Sequence, residues 1–207
     1  MTGTERFDRA AATWDLSDRR VQVAKTVAEA ISTRLSLPRA WDVLDFGCGT
    51  GLLTLALAPG VASITGADTS PGMLQALGAK ADAQGLPVVL RTLDTAGPGD
   101  LGGPYHLIVS SMTLHHIADV PALFRQFARA LHPGGGIALA DLDQEDGSFH
   151  EDASGVQHNG FVREHLQAWL EDAGFRKVRC ETAAITHKGG RDYSIFLVTA
   201  VHPQALT

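Results

Sequence analysis

The sequence predicts an α/β fold in which an open, mostly parallel sheet carries helices on both faces. Three observations predict it. Short apolar runs of strand length alternate with runs of helix length, a glycine-rich turn follows the first apolar run, and two strand-like runs close in sequence come last. Such alternation leaves each strand buried beneath helices on both sides.

The elements follow in order. Residues 18–35 set Val21, Ala24, Ala28, Ile31 and Leu35 on one stripe, the spacing of an amphipathic helix. The strand "WDVLDF" precedes the helix "GLLTLALA". "VASITGAD" is the second strand, before the helix "SPGMLQALGAKADAQ", where Ser70 suits the cap and Pro71 the first helical position. "LPVVLRTL" is the third strand, and the glycine- and proline-bearing "DTAGPGDLGGP" is a loop or short helix. "YHLIVSS" is the fourth strand, a helix over 119–131 is stopped by "HPGGG", and "GIALADL" is the fifth strand. The helix "VREHLQAWLEDAG" ends at Gly174. "FRKVRCETAAITH" and "YSIFLVTAV" then flank "KGGRD", an antiparallel hairpin at the sheet edge. One domain over 1–207 is expected, with residues 1–40 a helical cap and 41–207 the core.

Composition narrows the function. The chain has 207 residues and a formal net charge of −6, without a Lys- or Arg-rich stretch, which disfavours duplex nucleic acid as a partner. The polar, acidic start is no signal peptide, and no apolar run reaches the length of a membrane span. Two distant cysteines, Cys48 and Cys180, suit free thiols in a reducing, cytoplasmic setting. A small-molecule substrate is the expected partner, with the chain a monomer or homodimer.

The stretch "VLDFGCGTGLL", residues 43–53, carries the chemistry. Gly47, Gly49 and Gly51 let the backbone turn sharply and approach a ligand closely, at the strand end where open α/β sheets bind ligands. The next strand ends in Asp68, placed to accept hydrogen bonds from a ribose diol. Two nucleoside cofactors fit. A dinucleotide fingerprint wants Gly or Ala where Leu52 stands, with the third glycine one position later. Asp45 would repel a pyrophosphate, whereas a carboxylate suits the amino-acid end of a cationic sulfonium cofactor.

Further landmarks add to this loop. "GADTSPGML", "LDT" at 93–95, "YHLIVSSMTLHHIAD" and "LHPGGGIALADL" follow "VLDFGCGTG" in order. Together these resemble the class I S-adenosylmethionine-dependent methyltransferases, especially the small bacterial type, over nearly the whole chain. The resemblance implies a Rossmann-like, seven-stranded, mostly parallel sheet of order 3-2-1-4-5-7-6 with an antiparallel last strand. It implies S-adenosylmethionine as methyl donor and S-adenosylhomocysteine as product. Asp45, Gly47, Cys48 and Gly49 would line the methionine part, and Asp68 would hold the ribose, with Thr69 and Met73 packed nearby. Asp94 would accept from the adenine amino group beside Thr95, and Ser110 and Ser111 would stand near the amino end. In the cap, Trp14 reads as a lid aromatic and Arg19 or Arg20 as partner of the cofactor carboxylate, or else as a solvated helix start.

On the acceptor side, the post-strand-four segment "SSMTLHH" lacks the Asp/Asn-Pro-Pro-aromatic motif of amino-methylating nucleic-acid enzymes. It also lacks a Pro-Cys nucleophile and the acids of metal-dependent catechol-type enzymes. A small-molecule acceptor remains, its O, N or S atom undetermined. His115 and His116 are the candidate catalytic bases, or packed helix-start residues. Asp141, Asp143, His150 and His158 lie in a polar segment that reads as a solvated loop or a substrate pocket, and its spacing matches no metal-ligand motif. A non-catalytic cofactor-binding module or partner subunit is the alternative, and an NAD(P)-dependent oxidoreductase ranks behind both.

Overall fold

The computed structural model describes residues 3–94 and 99–203. Its strands are β1 Asp42–Phe46, β2 Ser63–Asp68, β3 Val88–Thr92, β4 Tyr105–Ser111, β5 Leu131–Leu142, β6 Arg176–Lys188 and β7 Arg191–Val201. They form one sheet in the order β3-β2-β1-β4-β5-β7-β6. β1 to β5 pair in parallel, while β7 runs antiparallel to both β5 and β6. The expected order and the reversed last strand hold. Gly189 and Gly190, with φ of 58° and 78°, form the two-residue turn between paired Lys188 and Arg191. Both residues of such a turn need positive φ, which glycine alone adopts without cost.

The helices are α1 Gly3–Ala10, α2 Asp18–Arg34, α3 Leu52–Leu57, α4 Pro71–Gln84, α5 Val120–Ala130 and α6 Arg163–Asp172. Successive strand residues point to opposite faces, and here both faces are covered. On one face Leu44, Ile108, Ile137, Leu139, Phe196 and Val198 meet Phe124 and Phe127 of α5 and Leu166 and Leu170 of α6. On the other, Val43, Leu107, Val109, Ala138 and Leu197 meet Val27 and Ile31 of α2 and Leu53 and Leu57 of α3. This two-sided burial is why the centres of the inner strands, such as Leu107 to Val109 and Ile137 to Ala140, read as unbroken apolar runs, whereas the edge strands β3 and β6 are partly exposed. Phe124 and Phe127 are fully buried, each contributing roughly 1.5–3 kcal/mol. Ser70 caps α4, accepting from the Met73 amide, with Pro71 at its first position, as the sequence requires.

Two details differ from expectation. The buried stripe of α2 is Val23, Ala24, Val27, Ala28, Ala30 and Ile31, while Val21 is 38% exposed. Ala24, Ala28 and Ile31 of the expected stripe are buried and Leu35 packs beside them, while Val23, Val27 and Ala30 widen the buried arc because the helix packs against both α3 and the long β6. "HPGGG" stops α5 but does not precede the fifth strand. β5 begins at Leu131, beside Tyr105, and the shift in its pairing with β4 between Tyr105 and Leu107 absorbs the irregular residues.

Candidate functional site

A cavity of about 1400 Å³ opens at the carboxyl ends of β1, β2 and β4, the position where open α/β sheets bind ligands. One wall comes from the glycine turn and β2, another from the residues after β4. The N-terminal segment and residues 149–157 roof it. The volume exceeds the roughly 300–1,000 Å³ of a pocket for one drug-sized ligand.

The first end is built on the turn after β1. Gly47 has φ of +69°, and a Cβ there would come within 2.2 Å of Thr113 Cγ2. Its amide and that of Cys48 donate to the Ala67 carbonyl at 2.8 and 3.0 Å, while Thr113 Oγ1 donates to the Gly47 carbonyl. Gly49 is different. A Cβ there meets nothing within 4 Å, because the space above it is the cavity.

Asp68 accepts from the Gly49 amide at 2.8 Å and the Ser70 amide at 2.9 Å. Burial pushes its carboxyl above the usual range, and these backbone donors oppose the shift. Asp45 is fully buried and accepts from Thr54 Oγ1 at 2.5 Å. Burial first, against the Thr54 hydrogen bond and then aided by the Asp68 charge, pushes it up to about 7. Two carboxyls that resist ionisation beside an open glycine face form a cradle suited to a cationic nucleoside. Thr69, Met73 and Asp94 line the same end, as do Gly47, Cys48 and Gly49. The Cys48 side chain turns away, packing with Leu74 and Leu77. Thr95 lies outside the described residues.

The roof is held by contacts the sequence did not reveal. Asp15 accepts from Thr50 Oγ1 and Lys80 Nζ, both at 2.6 Å. Asp8 accepts from Ser70 Oγ and the Gly72 amide. Arg6 reaches across to the Asp152 and Ser154 carbonyls. Trp14 and Arg20 both line the cavity, the guanidinium standing 3.8 Å from the indole centroid. Local patterning carries no signal for the partners of Asp15, Asp8 and Arg6, which lie 35 to 148 residues away.

At the second end, His115 Nδ1 lies 2.7 Å from Asp141 Oδ1, with both side chains buried. Asp141 also accepts from the His115 and Leu142 amides. Burial opposes ionisation of Asp141, yet the His115 ring and these donors hold its carboxyl below the usual range. The ionised acid therefore fixes the proton on Nδ1 and leaves Nε2 as the acceptor. His116 Nδ1 donates to the Gly155 carbonyl at 2.9 Å. Burial, then the His115 ring, pushes His116 and His150 down to about 4, so both are neutral near pH 7. Ring centroids of His115 lie 4.1 Å from His116 and 4.8 Å from His150. His150 Nε2 is buried without a hydrogen-bond partner among the described residues.

The structure does not bring four expected site residues to the cavity wall. Ser110 is buried and donates to the Phe46 carbonyl at 2.7 Å, whereas Ser111 does line the cavity. Asp141 stands behind His115 and is 0% exposed. Asp143 is held by Arg163 through two bonds of 2.6 and 2.7 Å. His158 Nε2 donates to the Ile117 carbonyl. In each case an internal partner takes the polar atoms that a substrate would need. Residues missed from the sequence include Arg6, Phe7, Phe149 and Lys188, all on the cavity. Among the described residues, no group of three or more His, Cys, Asp or Glu side chains is arranged to hold a metal ion. No helix among them is long and apolar enough to cross a membrane.

A methyltransferase-domain family model matches residues 16–179. The biotin biosynthesis bifunctional protein BioCD of Bordetella avium strain 197N is 39% identical over 152 residues, covering 71% of this chain and 31% of that protein. A ubiquinone biosynthesis O-methyltransferase of Methylobacterium nodulans is 30% identical over 159 residues, covering 70% of this chain and 64% of that one. The chain thus spans from about a third to just under two thirds of the length of these relatives. Among solved structures, a Haemonchus contortus phosphoethanolamine N-methyltransferase 2 bound to phosphomonomethylethanolamine and S-adenosylhomocysteine superposes with a TM-score of 0.70 at 18% identity. That overlap covers 86% of this chain and 52% of that one, and it concerns the fold. Sheet order and family match agree: the chain belongs to the class I S-adenosylmethionine-dependent methyltransferases.

Proposed function

We propose that the chain methylates a small molecule by in-line displacement, as a cytoplasmic enzyme acting as monomer or homodimer. One observation carries this reading: a single cavity joins the Asp45–Asp68 cradle to the Asp141-oriented ring of His115. Bound S-adenosylmethionine supplies a methyl group already activated on a sulfonium. Asp68 and Asp94 hold the nucleoside, Asp45 faces the cationic part, and the Gly49 backbone leaves room for it. Arg20 meets the cofactor carboxylate beneath Trp14.

The protein's main task is then alignment, which alone supplies much of the acceleration. His115 accepts the acceptor's proton at Nε2 when the nucleophile arrives protonated, and Asp141 keeps the ring in the required tautomer. Because His116 and His150 stay neutral, only Asp141 must balance the imidazolium so formed. The free thiols, Cys48 buried and Cys180 half-buried, fit a reducing compartment.

Calorimetry with S-adenosylhomocysteine tests the cofactor site. Saturable binding by the wild type is expected, with loss in Asp68→Ala at unchanged circular dichroism, and no binding by the wild type overturns the reading. Transfer of labelled methyl from S-adenosylmethionine to a metabolite pool then separates an enzyme from a silent binding module.

A further inference from the structure

Four basic side chains stand on the roof of the cavity, and two of them close no ion pair among the described residues. Arg6, Arg19, Arg20 and Lys188 all line it. Arg6 pairs with Asp152 at 3.6 Å, and Lys188 pairs with Glu151 at 3.3 Å. The Glu151 side chain is 88% exposed, out on the rim, where such a pair is worth little. Arg19 and Arg20 are half-buried and have no carboxylate within ion-pair distance among the described residues. Arg20 is engaged otherwise, stacked on Trp14 and donating to its carbonyl.

Arg19 stands apart from the cofactor end. Its guanidinium lies 5.1 Å from the Phe149 ring centroid, and Lys188 Nζ lies 5.3 Å from the same centroid. Phe149 contacts His150 edge-on at 4.9 Å, and His150 packs at 4.8 Å against His115. Two cations from distant parts of the chain, the start of α2 and the end of β6, therefore share one buried aromatic ring beside the proton acceptor. Among the described residues, Glu151 is the one carboxylate whose charge reaches Arg19, and it does so from the exposed rim without closing an ion pair. A partly desolvated guanidinium here therefore gains from a ligand that brings a closer negative charge. An oxyanion does so, and the guanidinium fork and the ammonium suit its oxygens.

We propose that Arg19 and Lys188 form an oxyanion subsite for the methyl acceptor, which is accordingly a small anionic molecule carrying a carboxylate or a phosphate. The inference rests on the methyltransferase reading, since it assigns the histidine end to the acceptor. Phe149 is the floor of this subsite, and the acceptor nucleophile extends from it toward His115. Glu151 is the rim acid that offsets both Lys188, by an ion pair, and Arg19, at longer range, while the subsite is open.

Titration of the S-adenosylhomocysteine-loaded protein at constant ionic strength tests this, with benzoate, phenyl phosphate and neutral benzamide as probes followed by amide chemical shifts. Saturable binding of benzoate or phenyl phosphate is expected, and benzamide should bind at least about tenfold more weakly. The tighter of the two anions identifies the source of the charge. Arg19→Met and Lys188→Met keep the apolar stems over Phe149. Each should weaken the anion about tenfold and leave S-adenosylhomocysteine affinity unchanged. Equal binding of benzamide, indifference of both variants, or loss of S-adenosylhomocysteine binding in Arg19→Met overturns the proposal. Failure of the wild type to bind S-adenosylhomocysteine at all strikes instead at the methyltransferase reading.

Discussion

Replacing Asp45 by asparagine separates two consequences of burying an acid at the cofactor end. The carboxyl is fully buried, and burial moves it from an ordinary 3.8 to about 7. Between those values the unfolded chain is ionised at this position while the folded chain holds a proton. The unfolded state binds fewer protons, so the group's contribution to stability falls as pH rises from about 4 to 7, then stays flat. Above pH 7 the deficit is on the order of 4 kcal/mol.

The Asp45→Asn variant escapes that deficit, and its amide oxygen can still accept from Thr54. Its amide protons bring a cost of about 1–3 kcal/mol if they find no acceptor. The net gain at pH 8 is therefore roughly 1–3 kcal/mol, a rise in melting temperature of roughly 2–12 °C for a chain of this size. The amide cost does not depend on pH, so the difference between variant and wild type should grow by roughly 3–4 kcal/mol from pH 4 to pH 8. Urea denaturation of the cofactor-free proteins across that range measures it. Parallel stability curves for the two proteins would refute the assignment of the strain to Asp45. The same variant should bind S-adenosylmethionine at least about tenfold more weakly, because a charge facing the cation is lost.

Other expectations follow from the same geometry. Binding of the cationic cofactor at pH 6 should release about one proton as Asp45 ionises, and close to none at pH 8.5, measured by calorimetry in buffers of different ionisation enthalpy. Gly47→Ala combines a left-handed φ with a clash on Thr113 and should cost about 2–4 kcal/mol in urea denaturation. Asp141→Asn should lower kcat about 10²-fold or more and distort its pH profile, while S-adenosylhomocysteine affinity holds. Asp143→Asn breaks only the pair with Arg163, so cofactor affinity and turnover should stay at wild-type levels.

How much of this was legible in the sequence depended on range. The central strands could be read because both faces of the sheet are covered there, which makes runs such as Ile137 to Ala140 continuously apolar. The glycine turn could be read because Gly47 and Asp68 answer to local backbone needs within one βαβ unit. The stripe of α2 was right at Ala24, Ala28 and Ile31 and wrong at Val21, because Val21 and Val23 are equally apolar and only the packing of α3 and β6 decides which is buried. Ser110, Asp141, Asp143 and His158 look in sequence like any polar residue beside a site. Their partners, the Phe46 carbonyl, His115, Arg163 and the Ile117 carbonyl, lie 64, 26, 20 and 41 residues away.

The N-terminal segment shows what that range limit concealed. Asp8 and Asp15 tie it to Ser70, Gly72, Thr50 and Lys80 around the cofactor end. Arg6 ties it to residues 152 and 154, and Phe7 packs on His116 at 5.3 Å, at the acceptor end. One stretch of chain thus contacts both ends of the cavity. Freeing it from either end exposes the other to water, which weakens every charge interaction inside. A change at one end is therefore felt at the other. Asp15→Ala removes only cofactor-end contacts, yet it should also slow turnover of the acceptor at saturating S-adenosylmethionine. If kcat is unchanged and only cofactor affinity falls, the segment is an anchor for the cofactor and does not couple the two ends.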